Sequence, residues 1–143
     1  MLERLHEHIV NELGQSSRTD TIFIVVAVVF NLIALGINAG SAASARASGS
    51  YGTYSLAADI ILTVFILMTL FVNAIALSGL LVGRQVRGKL IGGLVAMYSD
   101  NQVDKYYDRS LVSNYGMRYV LFASVIAILA ATAILVPLIV RIV

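Results

Sequence analysis

Gly83-Arg84-Gln85-Val86-Arg87-Gly88-Lys89 has the G-x-x-x-x-G-K spacing with which a loop cradles nucleotide phosphates. That chemistry also needs a hydroxyl at the next position to reach magnesium, and a strand leading into the loop. Here the next residue is Leu90 and the segment leaves a long apolar run, so a nucleotide site is set aside. Arg84, Arg87 and Lys89 read instead as an inner, lipid-facing basic cluster, each worth ~1 kcal/mol against anionic lipid.

Two other clusters invite a metal. His6 and His8 stand two residues apart, whereas ligand pairs on a helix favour a spacing of three or four, so they read as solvated polar residues. Asp100, Asp104 and Asp108 recur every four residues and would stack on one helical face. Stacked carboxylates need a cation, which Lys105 and Arg109, the Arg84–Lys89 cluster or a divalent ion could supply. The glycine and closing glutamate of a calcium-binding loop are missing, so a salt-bridged face and a cation site both stay open, and no metal is assigned.

Cysteine is absent, and both histidines lie near the N-terminus. No nucleophile can be matched to a base, and no cofactor motif remains. The chain is therefore not expected to be an enzyme, to carry a cofactor or to bind nucleic acid.

Polar residues inside apolar runs are the stronger signal. Ala27, Asn31, Ala34, Asn38, Ser41 and Ala45 alternate at steps of four and three, so one seam of a helix is wholly small or polar. Such seams let helices approach closely and bond through their amides. Phe23, Ile24, Val28, Phe30, Leu32 and Leu35 cover the other faces and suit lipid. Asn31 lies ten residues from Thr21, and Asn73 nine from Val82. Both therefore sit roughly 14–15 Å into their runs at ~1.5 Å per residue. Asn31, Asn38 and Asn73 could pack helices or line a pore. Asp59, at the start of its run, could attract ions at an outer mouth or pair with Arg141 at the end of another.

The elements that would position these residues follow from composition. Of 143 residues, 59% are apolar and 13% charged, against about a quarter charged in a soluble domain. The expected fold is one all-α membrane domain with three transmembrane helices. Residues 1–14 form an amphipathic helix ended by Gly14, with Ser17 and Asp20 as a capping box for the next. Residues 19–40 form the first span and 41–55 an external loop of small and polar residues. Residues 56–82 form the second span, 83–118 a cytoplasmic helical loop and 119–140 the third span. Ala43-Ser44-Ala45 resembles a signal-peptide cleavage site, but the preceding segment is net acidic and the apolar run is long for a signal peptide. Small residues recur in the third span at Ala123, Ala127 and Ala130 or Ala131.

Eight Lys and Arg fall in the N-terminal segment and the 83–118 loop, and two in the 39–55 loop and the C-terminal tail. That asymmetry predicts a cytoplasmic N-terminus and an external C-terminus. The seams exceed what one chain of three spans needs, so a homo-oligomer or a complex with other membrane subunits is expected, in contact with the lipid bilayer and its anionic lipids. Two functions fit: an ion or small-solute channel lined by the seam, slightly favoured for its regularity, and a non-catalytic accessory or scaffold subunit.

Overall fold

Three uncharged stretches dominate the chain: residues 21–45, 60–83 and 119–140 contain no Asp, Glu, Lys or Arg. As helices they would be roughly 33–38 Å long at ~1.5 Å per residue, enough to cross a ~30 Å hydrocarbon core with some tilt. In the computed structural model, which describes residues 2–50, 56–103 and 110–142, each stretch lies within one long helix. These are α1 (Leu2–Ser50), α2 (Leu56–Asp100) and α3 (Ser110–Ile142). All three are long and apolar enough to cross a membrane.

Side-chain bonds fix the topology. Asn31 meets Asn73 and Asp20 meets Arg87, so α2 runs antiparallel to α1. Asn38 meets Ala133 and Asp20 meets Tyr119, so α3 runs parallel to α1. The buried positions repeat at three, four and seven residues: Ala27, Asn31, Ala34 and Asn38 on α1, Thr69, Asn73, Ala76 and Leu80 on α2, Tyr119, Ile126 and Ala133 on α3. This is the spacing of a left-handed coiled-coil seam. The core is lean, built from Ala27, Ala76, Leu80, Tyr119 and Ile126 with Ile24, Leu77 and Phe122 against it. The large apolar residues point outward, as Phe71, Ile75 and Ile128 do.

The helices run further than local signals suggest. Gly14 does not end a helix: α1 continues through it, and Ser17 is an interior residue whose carbonyl accepts a bond from the Thr21 hydroxyl at 3.0 Å. A glycine inside a helix costs about 1 kcal/mol, and packing of the flanking turns against α2, where Ser16 meets Arg87, offsets it. Residues 41–50, expected in a loop, are also helical. There Ala42 and Ala45 are buried, and Ser44 and Ser48 turn their hydroxyls back to the carbonyls four residues earlier.

Likewise α2 passes the end of the apolar run without a break and keeps packing as far as Ile91 and Leu94. It ends in a Schellman motif. Gln102 adopts φ 57°, its N–H donates to the Ser99 carbonyl at 3.0 Å, and the Val103 N–H donates to the Tyr98 carbonyl at 2.9 Å. Gln102 thus holds a left-handed position that glycine usually fills. Of the segment expected as a helical loop, residues 83–100 are therefore the lower part of α2, 101–103 its closing turn and 110–118 the start of α3. Beyond the apolar band α1 and α2 form a paired arm, joined near its tip by the Tyr98 hydroxyl and His6 Nδ1, 3.5 Å apart.

Candidate functional site

A spine of polar contacts runs along the bundle, each linking helices at a different level. At the basic end, α1 places Asp20 one heptad before Ala27, on the seam, where its side chain is only 10% exposed. Asp20 Oδ2 accepts bonds from the Arg87 guanidinium at 2.6 Å and the Tyr119 hydroxyl at 2.5 Å. One carboxylate oxygen thereby joins all three helices. The guanidinium lies 5.4 Å from the centre of the Tyr119 ring and reaches Ser16 Oγ at 3.4 Å. Gly83 makes this approach possible, because a Cβ there would run into Asp20 Oδ1. One turn away the Phe23 ring lies on Gly79, where a Cβ would come within 3.2 Å of it.

Midway along, Asn31 and Asn73 form a reciprocal amide pair, each Nδ2 donating to the other's Oδ1 at 2.8 Å. The second Asn73 N–H donates to the Thr69 carbonyl at 2.7 Å. Both amide oxygens and three of the pair's four amide N–H groups are thus bonded within 2.8 Å of a partner, at buried positions.

Asn38 shows a different pairing. Pro137 has no backbone N–H, so the Ala133 carbonyl four residues earlier lacks its helical donor. Asn38 Nδ2 donates to that carbonyl at 3.2 Å, while Asn38 Oδ1 is buried without a hydrogen-bond partner among the described residues. At the far end, Arg141 spans both oxygens of Asp59, Nε to Oδ1 at 3.2 Å and a terminal nitrogen to Oδ2 at 3.4 Å. These side chains are 30% and 26% exposed, so this pair is much wetter than the one at Asp20.

The basic cluster needs correction. Arg84 and Lys89 are exposed, but Arg87 is buried between the helices and does not face lipid. A helical period of 3.6 turns Arg87 to the seam while its two neighbours point away from it. Of the aspartate series, Asp100 is exposed at the end of α2, and Asp104 and Asp108 lie outside the described residues. Among the described residues no group of three His, Asp or Glu could hold a metal ion. On α3 the seam passes through Ile126 and Ala133 rather than Ala127, which is exposed.

Asp20 and Tyr119 were not among the site residues the sequence suggested. The signal was present, because Asp20 continues the α1 seam by one heptad and lies opposite Arg87 in an antiparallel pairing. Chemically, the spine staples the helices through one buried ion pair, one wetter ion pair and amide hydrogen bonds. The described residues thus define an all-helical bundle with three helices of membrane-crossing length, held by buried polar contacts at several levels. Comparison with protein-family models, curated proteins and solved structures finds no match.

Proposed function

We propose that the chain is an integral membrane protein, with its N-terminus cytoplasmic and its C-terminus external, that serves as a non-catalytic accessory or scaffold subunit of a membrane assembly. The observation that carries this reading is the fate of the seam: Asn31, Asn38 and Asn73 are 1%, 0% and 5% exposed and bond to partners within the chain. A ring-shaped channel would need those amides to face a shared lumen. Asp59, the other candidate for attracting ions, is engaged by Arg141.

The outward faces support the same reading. Thr63, Ser124 and Thr132 each donate their hydroxyl at 2.8 Å to the carbonyl four residues earlier, which leaves those faces apolar towards lipid or a neighbouring helix. The α1–α2 arm extends roughly 25 Å beyond the apolar band at ~1.5 Å per residue. It offers a polar handle in water for partner subunits or a second copy of the chain. Orientation rests on the excess of Lys and Arg at the arm end.

Purified protein reconstituted into liposomes tests the proposal, together with cross-linking in native membranes. The expected result is a discrete cross-linked assembly and no ion or solute flux above that of empty liposomes under any imposed gradient. Flux that scales with protein content and falls on Asn31→Leu or Asn38→Leu would overturn it in favour of a channel.

A further inference from the structure

At the level of the Asp20–Arg87–Tyr119 contact each helix also carries an exposed arginine: Arg18 on α1, Arg84 on α2 and Arg118 on α3. With Lys89 one turn further, this end holds five cations against the single carboxylate of Asp20, which Arg87 already occupies. The collar lies where the uncharged stretches begin. If the helices span a bilayer, it therefore sits among the lipid phosphates.

Between α2 and α3, starting at this collar, runs a groove of about 230 Å³. Leu77, Leu80, Leu81, Val120 and Ala123 line it together with Tyr119, and Arg84 supplies its one charge. Successive turns of α2 place Arg84 at the edge of the apolar band and Leu81 and Leu77 deeper within it. A cationic head site thus opens into an apolar slot aligned with the helices.

We infer that this groove is a binding site for an anionic phospholipid, its phosphate on Arg84 and one acyl chain along Leu77, Leu81, Val120 and Ala123. Charge complementarity selects the anionic class, because among the described residues no carboxylate pairs with Arg84. Basic pockets between spanning helices on the cytoplasmic side bind lipid head groups in this way. Tyr119 lines the groove and also bonds Asp20, so an occupied groove presses on the contact that joins the three helices. The inference rests on the membrane reading above and adds a specific lipid to it.

Native mass spectrometry of the full-length protein in neutral detergent tests it, with titration by phosphatidylglycerol, phosphatidylcholine or glycerol phosphate. One phosphatidylglycerol should remain bound in preference to phosphatidylcholine, and glycerol phosphate should not displace it. Arg84→Gln should weaken retention about fivefold, the share of one basic residue at an anionic surface. Ala123→Phe, which fills the slot without changing charge, should weaken it at least as much, whereas Lys89→Gln on the same helix should change it less than twofold. Arg84 is exposed, so its variant should keep the wild-type helix content and carry the test even if Ala123→Phe misfolds.

Equal retention of both lipids would overturn the inference, and so would an unchanged affinity in Arg84→Gln. Displacement by glycerol phosphate would replace it with a free-phosphate site. Protein that stays monodisperse in water without detergent would overturn the membrane reading itself, a result distinct from the other three.

Discussion

Removing the Asp20 carboxylate should cost far more than removing any exposed charge. Asp20→Ala removes the carboxylate that lies 2.6 Å from the Arg87 guanidinium, whose side chain is only 9% exposed between the helices. Breaking one side of a buried ion pair costs about 3–5 kcal/mol, and the Tyr119 hydroxyl loses a bond worth about 1 kcal/mol. Against this, Arg87 sits at the edge of the apolar band and could extend its flexible stem towards water, recovering part of the loss. The expected net destabilisation is about 3 kcal/mol. The double variant Asp20→Ala with Arg87→Met leaves no buried charge and should recover about 2 kcal/mol of it.

Equilibrium unfolding of the purified protein in mixed micelles of rising denaturing-detergent content would measure both variants. Asp59→Ala is the internal control. Its pair with Arg141 is about a quarter to a third exposed, so its loss should cost about 0–1 kcal/mol and shrink further with added salt. If Asp20→Ala stays within 1 kcal/mol of wild type, the triad is not the staple described here. If the double variant is no more stable than the single one, the broken Asp20–Arg87 ion pair is not the cause of the loss.

Gly83→Ala should lower the unfolding midpoint by an amount equivalent to about 1–3 kcal/mol, since the new methyl runs into Asp20 Oδ1. Gly88→Ala and Gly92→Ala on the same helix meet open space and should raise it by about 0.5–1 kcal/mol each, read by the same unfolding curves. Asn31→Leu or Asn73→Leu alone should destabilise by about 1–2 kcal/mol through the stranded partner amide, with the double variant closer to wild type; a double-mutant cycle reads the coupling. Asn38→Leu should be better tolerated in a Pro137→Ala background, where the Ala133 carbonyl regains its helical donor, and additive losses would refute that link.

Much of this architecture can be read from residue types and spacing, and what cannot be read has physical reasons. The uncharged stretches show directly as three helices of crossing length, because hydrophobic length depends little on context. Asn31 and Asn73 meet at the depth their positions imply, and Arg141 reaches Asp59. Helix ends were not legible: Gly14 and the small polar residues 41–50 look like breaks, but a few tenths to 1 kcal/mol of local preference yields to packing along a long seam. Arg87 was misplaced because charge counting tells how many cations lie on one side of an apolar run, not which one turns inward. The heptad below Ala27 carries that information, because it places Asp20 on the same seam opposite Arg87.

The polar seam itself shows why its role could not be settled from pattern alone. Periodicity establishes which residues share a face but says nothing of what the face meets, so a packed seam and a pore lining look identical. The distinguishing question is whether each buried donor and acceptor can find a partner inside the chain, because an unpaired one is costly where water is absent. For Asn31 the partner is Asn73. For Asn38 it is less obvious, yet a proline deep in an apolar helix always leaves a carbonyl four residues earlier in need of a donor. Pro137 makes Ala133 that acceptor, and Asn38 supplies the N–H. The amides are thus accounted for by internal demand before a lumen is invoked. What remains is Asn38 Oδ1, which is buried and has no hydrogen-bond partner among the described residues.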